Sequence, residues 1–129
     1  QPSTEHIENL IHLAETVLQP VREHFGKPVA ISSGYRSPEL CEAIGSSAKS
    51  QHAKGEAADF EIPGVDNMQL ATWINKNTNF DQLILEYYEP GDPNSGWVHC
   101  SAVKEGSRAQ VLKASKVGGK TKYENILLV

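Results

Sequence analysis

Two segments of this chain carry three side chains that commonly bind metal ions. The segment SQHAKGEAADFEI holds His52 and Asp59 seven positions apart, and the segment WVHCS adds His99 further along the chain. Two imidazoles and one carboxylate form a recognised ligand set for a zinc ion that keeps a fourth position open. A solvated histidine, a salt-bridged aspartate and an unrelated histidine would give the same three residues, since polar residues are common in loops.

The residues around Asp59 predict a buried strand. Its neighbours Ala57, Ala58, Phe60 and Ile62 are all apolar. A carboxylate in such a strand needs a hydrogen-bonding partner or a metal ion, because burial without one is costly. This position of Asp59 therefore favours a metal site.

Length and charge limit the class of protein. A chain of 129 residues is long enough to bury a core without disulfides, so we expect a single domain over residues 1–129. The net charge of −4 and the scattered Lys and Arg residues argue against nucleic acid as a partner. We expect a monomer. Cys41 and Cys100 are too few for a disulfide framework, and we interpret both as free thiols.

The hydrophobic pattern gives no sign of a membrane protein. No apolar run approaches the ~20 residues that are needed to span a bilayer. No secretion signal is visible either, and Gln1 is not an initiator residue. We therefore expect no membrane partner.

The first part of the chain predicts a helix that lies on a core. Ser3 or Thr4 can cap it, and Gly26 ends it. Pro20 falls inside the pattern, so the helix should kink or restart near residues 18–20. The apolar positions that repeat with a period of 3.6 residues are Ile7, Leu10, Ile11, Ala14, Val17, Leu18, Val21 and Phe25.

The remaining elements mix helices and strands without a regular βαβ alternation. This order predicts an α+β fold in which helices flank an antiparallel sheet. The predicted elements are a strand KPVAISS, a short helix Pro38–Ile44, a strand around Asp59, a helix capped by Asp66 that ends near Asn77, strands FDQLILEYY and WVHCSAV, a strand or short helix over 108–114, and an apolar tail over 123–129 that pairs or packs.

Four motifs of the chain resemble one peptidase superfamily. The runs SGYRSPEL, SQHAKGEAADF, FDQLILE and WVHCS look like those of the zinc D-alanyl-D-alanine carboxypeptidases, which include vancomycin-resistance D,D-dipeptidases, phage L-alanyl-D-glutamate endopeptidases and the related Hedgehog signalling domain. The similarity covers about residues 18–101. The opening LQPVREHFGKPV is most similar to the short phage- and prophage-encoded members. The resemblance implies the fold of this superfamily.

The resemblance assigns a role to each residue that matches a motif. It implies that His52, Asp59 and His99 are the ligands of a zinc cofactor. Arg36 matches an arginine that steadies the developing oxyanion, although an arginine at this position could equally form a surface ion pair.

Three residues are our candidates for substrate contacts. Ser50 matches a serine near the substrate in the dipeptidases. We expect Arg36 and Trp97 to contact the substrate as well.

The catalytic carboxylate departs from the commoner pattern. Many relatives carry an acid three residues before the last ligand, where this chain has Gly96. The Hedgehog relative instead has an FD-x-x-x-x-E strand, and this spacing selects Glu86. A carboxylate that enters a largely apolar strand is expensive unless it is used or paired, so a salt bridge at the strand end remains the alternative. Glu89, Asp92 and Glu56 are the other candidates for the base.

These residues together predict an enzyme. The resemblance implies a zinc-dependent peptidase that hydrolyses D-amino-acid-containing peptide bonds of bacterial peptidoglycan, of the D,D-carboxypeptidase or endolysin type. Its partner would be a peptidoglycan peptide, its place of action the cell wall in the periplasm, and its source a phage or prophage. The alternative is a zinc-stabilised binding or structural module of a phage particle without peptidase activity.

Overall fold

A mixed sheet of six strands is the centre of the computed structural model, which describes residues 3–33, 51, 54–92 and 95–128. The predicted helix Pro38–Ile44 lies outside the described residues. The spatial order of the strands is β1-β2-β4-β3-β5-β6. The strands are β1 (Ala30–Ser33), β2 (Ala57–Glu61), β3 (Gln82–Glu86), β4 (Trp97–Ser101), β5 (Gln110–Val117) and β6 (Lys120–Asn125).

The predicted N-terminal helix is present and is interrupted before its proline. Its parts are α1 (Thr4–Leu13), a π-helical segment (Ala14–Leu18) and α2 (Gln19–Phe25). The Ser3 hydroxyl caps α1 by accepting from the His6 N–H at 3.1 Å, and Gly26 ends α2 with a left-handed φ of 64°. Because a proline ring clashes with the carbonyl four residues earlier, the wider π turn directly before Pro20 accommodates it.

The buried face of this helix differs from the predicted one at its start. Ile7 and Ile11 are 46% and 52% exposed, whereas Leu13, outside the predicted set, is buried. Further along, Val17 and Val21 are buried as predicted. The difference arises because a polar residue, Asn9, occupies the inward position in the first half of the helix.

A second helix, α3 (Asn67–Asn77), matches the prediction closely. Asp66 caps it by accepting from the Met68 N–H at 2.8 Å. Its buried apolar residues are Leu70, Ala71 and Ile74. None of the described helices is long and apolar enough to cross a membrane.

The helices cover one face of the sheet. Side chains alternate between the two faces along a strand, and the helix-facing positions of the central strands join one core with α1, α2 and α3. These positions are Ala58, Phe60, Leu83, Leu85, Val98 and Cys100. Cys100 is a free and fully buried thiol, whose pKa burial raises, and Cys41 lies outside the described residues. The intervening residues of the same strands point to the opposite face.

The α+β class is confirmed, but the sheet is mixed and not purely antiparallel. The strand or short helix predicted over 108–114 is a strand, β5, and it runs parallel to β3. The N–H of Gln110 donates to the Asp81 carbonyl at 2.9 Å, so β5 begins beside the start of β3 and follows its direction. The predicted tail begins within β6, and Ile126 and Leu128 pack on the core.

Candidate metal centre

Three neighbouring strands bring Asp59, Glu86 and His99 together on the face of the sheet away from the helices. Asp59 of β2 is the direct partner of His99 of β4. Glu86 of β3 is the partner of Trp97, two residues before His99 on the same face of β4. One ligand atom from each side chain of the triad lies within 4.8 Å of the others. The β-sheet register therefore builds this cluster from residues far apart in sequence.

Asp59 and His99 are in direct contact. Nδ1 of His99 lies 2.7 Å from Oδ1 of Asp59, and the two side chains are 13% and 15% exposed. A carboxylate and an imidazole so close and so little exposed share a short, charge-assisted contact. Both groups remain reachable from solvent at this face.

Trp97 orients the carboxylate of Glu86. Its indole Nε1 donates a hydrogen bond to Oε2 of Glu86 over 2.8 Å, and its ring packs against Tyr87 with centroids 5.3 Å apart. We predicted Trp97 as a substrate contact, which remains a prediction. The contact to Glu86 is a role that sequence reasoning missed, although alternation within WVHCS places Trp97 and His99 on one face.

Gly96 cannot carry the acid that many relatives have at this position. A Cβ built on Gly96 would lie 1.8 Å from the Glu86 carbonyl oxygen, and its φ is 64°. Asn67 holds the same turn, since its amide donates to the Ser95 carbonyl at 3.0 Å. The backbone of the β3–β4 connection thus passes directly over the end of β3 and leaves no room for a side chain.

The other acids that we considered lie elsewhere. Glu89 and Asp92 are exposed in the β3–β4 connection, where they form an isolated β-bridge. Glu56 precedes β2, and its carbonyl accepts from the Ala102 N–H at 2.9 Å. None of the three belongs to the group of metal-ligating side chains among the described residues.

The group fits a zinc ion by its chemistry. Carboxylate oxygens and imidazole nitrogens bind zinc at about 2.0–2.2 Å, so two ligands of one ion lie no more than about 4.4 Å apart. Nδ1 of His99 and Oδ1 of Asp59 are 2.7 Å apart, inside this limit, and Glu86 completes a group whose ligand atoms lie within 4.8 Å of one another. The group contains two of the three predicted zinc ligands, Asp59 and His99.

The sequence profile of a peptidase family, Peptidase M15, matches residues 3–101 of the chain. The chain belongs to the peptidase M15 family. The match confirms the resemblance to the zinc D-alanyl-D-alanine carboxypeptidases, and it spans Asp59, Glu86 and His99. This M15 chain is therefore a member of a family of zinc metallopeptidases that act on peptidoglycan peptides. A comparison with curated proteins gives no match.

Three predicted site residues of this M15 chain lie outside the described residues, namely Arg36, Ser50 and His52. The structure does describe Gln51, the residue directly before His52. The Gln51 amide donates to Oδ2 of Asp81 at 2.8 Å. A side chain at the start of β3 therefore binds the segment that carries the first predicted ligand.

Asp81 is the centre of a buried polar network. Oδ1 accepts from the backbone N–H and Nε of Arg108 at 2.9 and 3.0 Å, while Oδ2 accepts from the guanidinium and from Ser101 Oγ at 2.8 and 3.3 Å. The hydrogen bond from the Arg108 side chain is the main reason that the pKa of Asp81 lies well below its usual range, against the effect of burial. Asp81 belongs to the FD-x-x-x-x-E pattern, but its partners could not be deduced from that pattern.

Gly55 and Asn9 fasten the other side of the His52 segment to α1. Gly55 has a φ of 76°, and a Cβ there would lie 2.5 Å from the His6 carbonyl oxygen. Asn9 is buried and donates to the Lys54 carbonyl at 2.9 Å. The glycine of the H-x-x-G motif is thus required by a left-handed backbone packed against a helix.

Proposed function

We propose that this protein is a zinc-dependent hydrolase of D-amino-acid-containing peptide bonds in bacterial peptidoglycan, of the D,D-carboxypeptidase or endolysin type. The observation that supports the proposal most is the convergence of Asp59, Glu86 and His99 within 4.8 Å in a chain of the M15 family. We further propose that the protein acts on the cell wall as a monomer and is encoded by a phage or prophage.

Zinc would be held by His52, Asp59 and His99. When bound, zinc supplies Lewis acidity, which acidifies water and polarises a peptide carbonyl. The sheet fixes Asp59 and His99 as direct partners on adjacent strands. The hydrogen bond between Gln51 and Asp81 connects Gln51, the residue directly before His52, to the same sheet. These supports lower the conformational freedom that the ligands would lose on binding.

Glu86 is the proposed general base and acid. Its carboxylate would take a proton from the attacking water and return it to the amine of the leaving group, a transfer that requires hydrogen-bond reach. The 2.8 Å bond from Trp97 holds this carboxylate in one orientation beside His99. Arg36 would stabilise the oxyanion of the tetrahedral intermediate, and Ser50 would contact the substrate.

Digestion of purified peptidoglycan tests this function. The zinc-loaded protein should release peptide fragments whose masses identify the bond that is cut. A chelator should abolish the release, and added zinc should restore it. The Glu86→Gln variant should keep its zinc and release fragments about 100- to 10,000-fold more slowly. A protein with one zinc per chain that cleaves no wall peptide would instead be a zinc-stabilised binding or structural module.

A further inference from the structure

The C-terminal hairpin adds a tyrosine to the row of residues that contains Glu86. Glu86 of β3 is the partner of Ala114 of β5, and Ala114 is the partner of Tyr123 of β6. Residues paired directly across a sheet point to the same face. Tyr123 therefore shares the face of the candidate metal centre, although it lies beyond the part of the chain that the family profile matches.

The residue between them, Ala114, is small and buried. Glu86 and Tyr123 are two strand spacings apart, about 10 Å. The phenol is 55% exposed, so it stands at the surface beside the metal centre.

The electrostatic environment also places the phenol near the centre. Partial burial, followed by the nearby carboxylates of Glu86 and Asp59, raises the pKa of Tyr123 above its ordinary value of 10. The phenol therefore keeps its proton at neutral pH. It offers one hydrogen-bond donor next to a cluster of carboxylates that can only accept.

The hairpin is fixed to the catalytic strands at this point. The Tyr87 hydroxyl and the Thr121 hydroxyl of β6 are 2.6 Å apart, and the Tyr87 ring packs against Trp97. Lys116 of β5 places its Nζ 5.8 Å from the centroid of the same ring. The position of Tyr123 is therefore coupled to the residues that orient Glu86.

We propose that Tyr123 is a substrate-binding residue whose hydroxyl donates a hydrogen bond to an oxygen of the peptide substrate. The inference rests on the proposed peptidase function and deepens it, since it names a residue that holds the substrate. A peptide substrate presents carbonyl and carboxylate oxygens along its length, and these are acceptors for a neutral phenol.

The test measures cleavage and binding with one probe, a peptidoglycan stem pentapeptide that contains both an L-alanyl-D-glutamyl and a D-alanyl-D-alanyl bond. Tyr123→Phe removes only the hydroxyl, and we expect KM to rise roughly three- to tenfold, the effect of one lost hydrogen bond, with kcat nearly unchanged. Tyr123→Ala should raise KM further. Glu124→Gln is the matched control, because Glu124 lies on the opposite face of β6, and it should leave KM unchanged.

Calorimetric binding of the pentapeptide to zinc-loaded Glu86→Gln protein gives a second readout that needs no turnover. The dissociation constant should rise by the same factor when Tyr123→Phe is added. If the wild type cleaves the pentapeptide and both Tyr123 variants keep its KM and affinity, the role of Tyr123 is refuted while the peptidase stands. If the wild type cleaves nothing but Tyr123→Phe weakens peptide binding, the role of Tyr123 is supported and the proposed hydrolysis is refuted. Neither cleavage nor binding would refute both.

Discussion

Trp97 and Glu86 are joined by a 2.8 Å hydrogen bond from the indole Nε1 to the carboxylate Oε2, across the directly paired strands β4 and β3. The bond fixes the orientation of the carboxylate that lies beside Asp59 and His99. A general base must be held within hydrogen-bond reach of the proton that it takes. Trp97 therefore assists the proposed reaction indirectly, by orienting Glu86.

Replacement of Trp97 by phenylalanine should slow turnover while zinc binding persists. The variant keeps an aromatic ring but loses the donor, and the loss of one hydrogen bond to a charged group corresponds to roughly a tenfold fall in kcat. Peptide cleavage kinetics and zinc content measure this. Trp73→Phe is the control, because Trp73 stacks on His24 at 4.5 Å and belongs to α3, on the helix-covered side of the sheet. An unchanged kcat in Trp97→Phe would contradict the positioning role.

Glu86→Gln should retain the fold and zinc but lose about 100- to 10,000-fold in kcat, the range that general acid–base catalysis supplies. The glutamine keeps an oxygen that can accept from Trp97 but has no basic carboxylate. Asp92→Asn and Glu89→Gln change exposed acids of the β3–β4 connection and should stay active. An active Glu86→Gln protein together with an inactive Asp92→Asn protein would place the base in that connection.

Zinc removal should lower the melting temperature, because an ion that binds only the folded state stabilises it in proportion to RT ln(1 + [L]/Kd). Readdition of zinc should restore the melting temperature and activity together. His52→Ala should lose most of its zinc, measured by elemental analysis. His24→Ala, which changes an exposed histidine of α2, should keep it. A His52→Ala protein with full zinc content would show that the ligand set is wrong.

Acid should destabilise the protein through Asp81. The pKa of its carboxyl is lowered in the folded state, chiefly by Arg108, so the unfolded state binds more protons at low pH. The stabilisation is present above the unfolded pKa of about 3.9 and is lost as the pH falls below it. The free energy of unfolding, measured with urea, should differ less between pH 7 and pH 3 for Asp81→Asn than for the wild type. Equal differences for the two proteins would contradict this.

Gly96→Ala should be destabilising, because its Cβ would meet the Glu86 carbonyl oxygen at 1.8 Å and its φ is 64°. We expect a loss of roughly 1–3 kcal/mol in the free energy of unfolding, typical of a strained backbone position. Gly118→Ala has a similar φ of 58° but nothing within 4 Å of its Cβ, so it isolates the cost of the backbone alone. Urea unfolding measures the loss in the free energy of unfolding for each variant. Equal losses would mean that the close approach to Glu86 is not important.

Local patterns in the sequence predicted much of this structure. Alternation in FDQLILE and WVHCS predicted the two central strands, and the family motifs selected Asp59, Glu86 and His99, which the structure brings together. The helix caps at Ser3 and Asp66 were also predicted, because a cap depends only on residues within one helical turn.

The remaining features depend on contacts between distant parts of the chain. Asp81 lies 27 residues from Arg108 and 30 from Gln51, so no local pattern pairs them. The parallel register of β5 on β3 places Tyr123 beside Glu86, and the sequence predicted only a tail that pairs or packs. Asn9 displaced the predicted core face of α1, because a buried polar side chain interrupts the hydrophobic period.

The parallel pairing of β3 with β5 also affects how the chain behaves before folding is complete. β5 is made after β3 and β4, so the edge of β3 that faces away from β4 stays unpaired until late. An unpaired apolar strand is a template for pairing with another molecule. During synthesis, or after transient detachment of the hairpin, this edge of the strand that carries Glu86 is therefore open to pairing with another chain. Synthesis of the last strands protects the chain as well as completing the sheet.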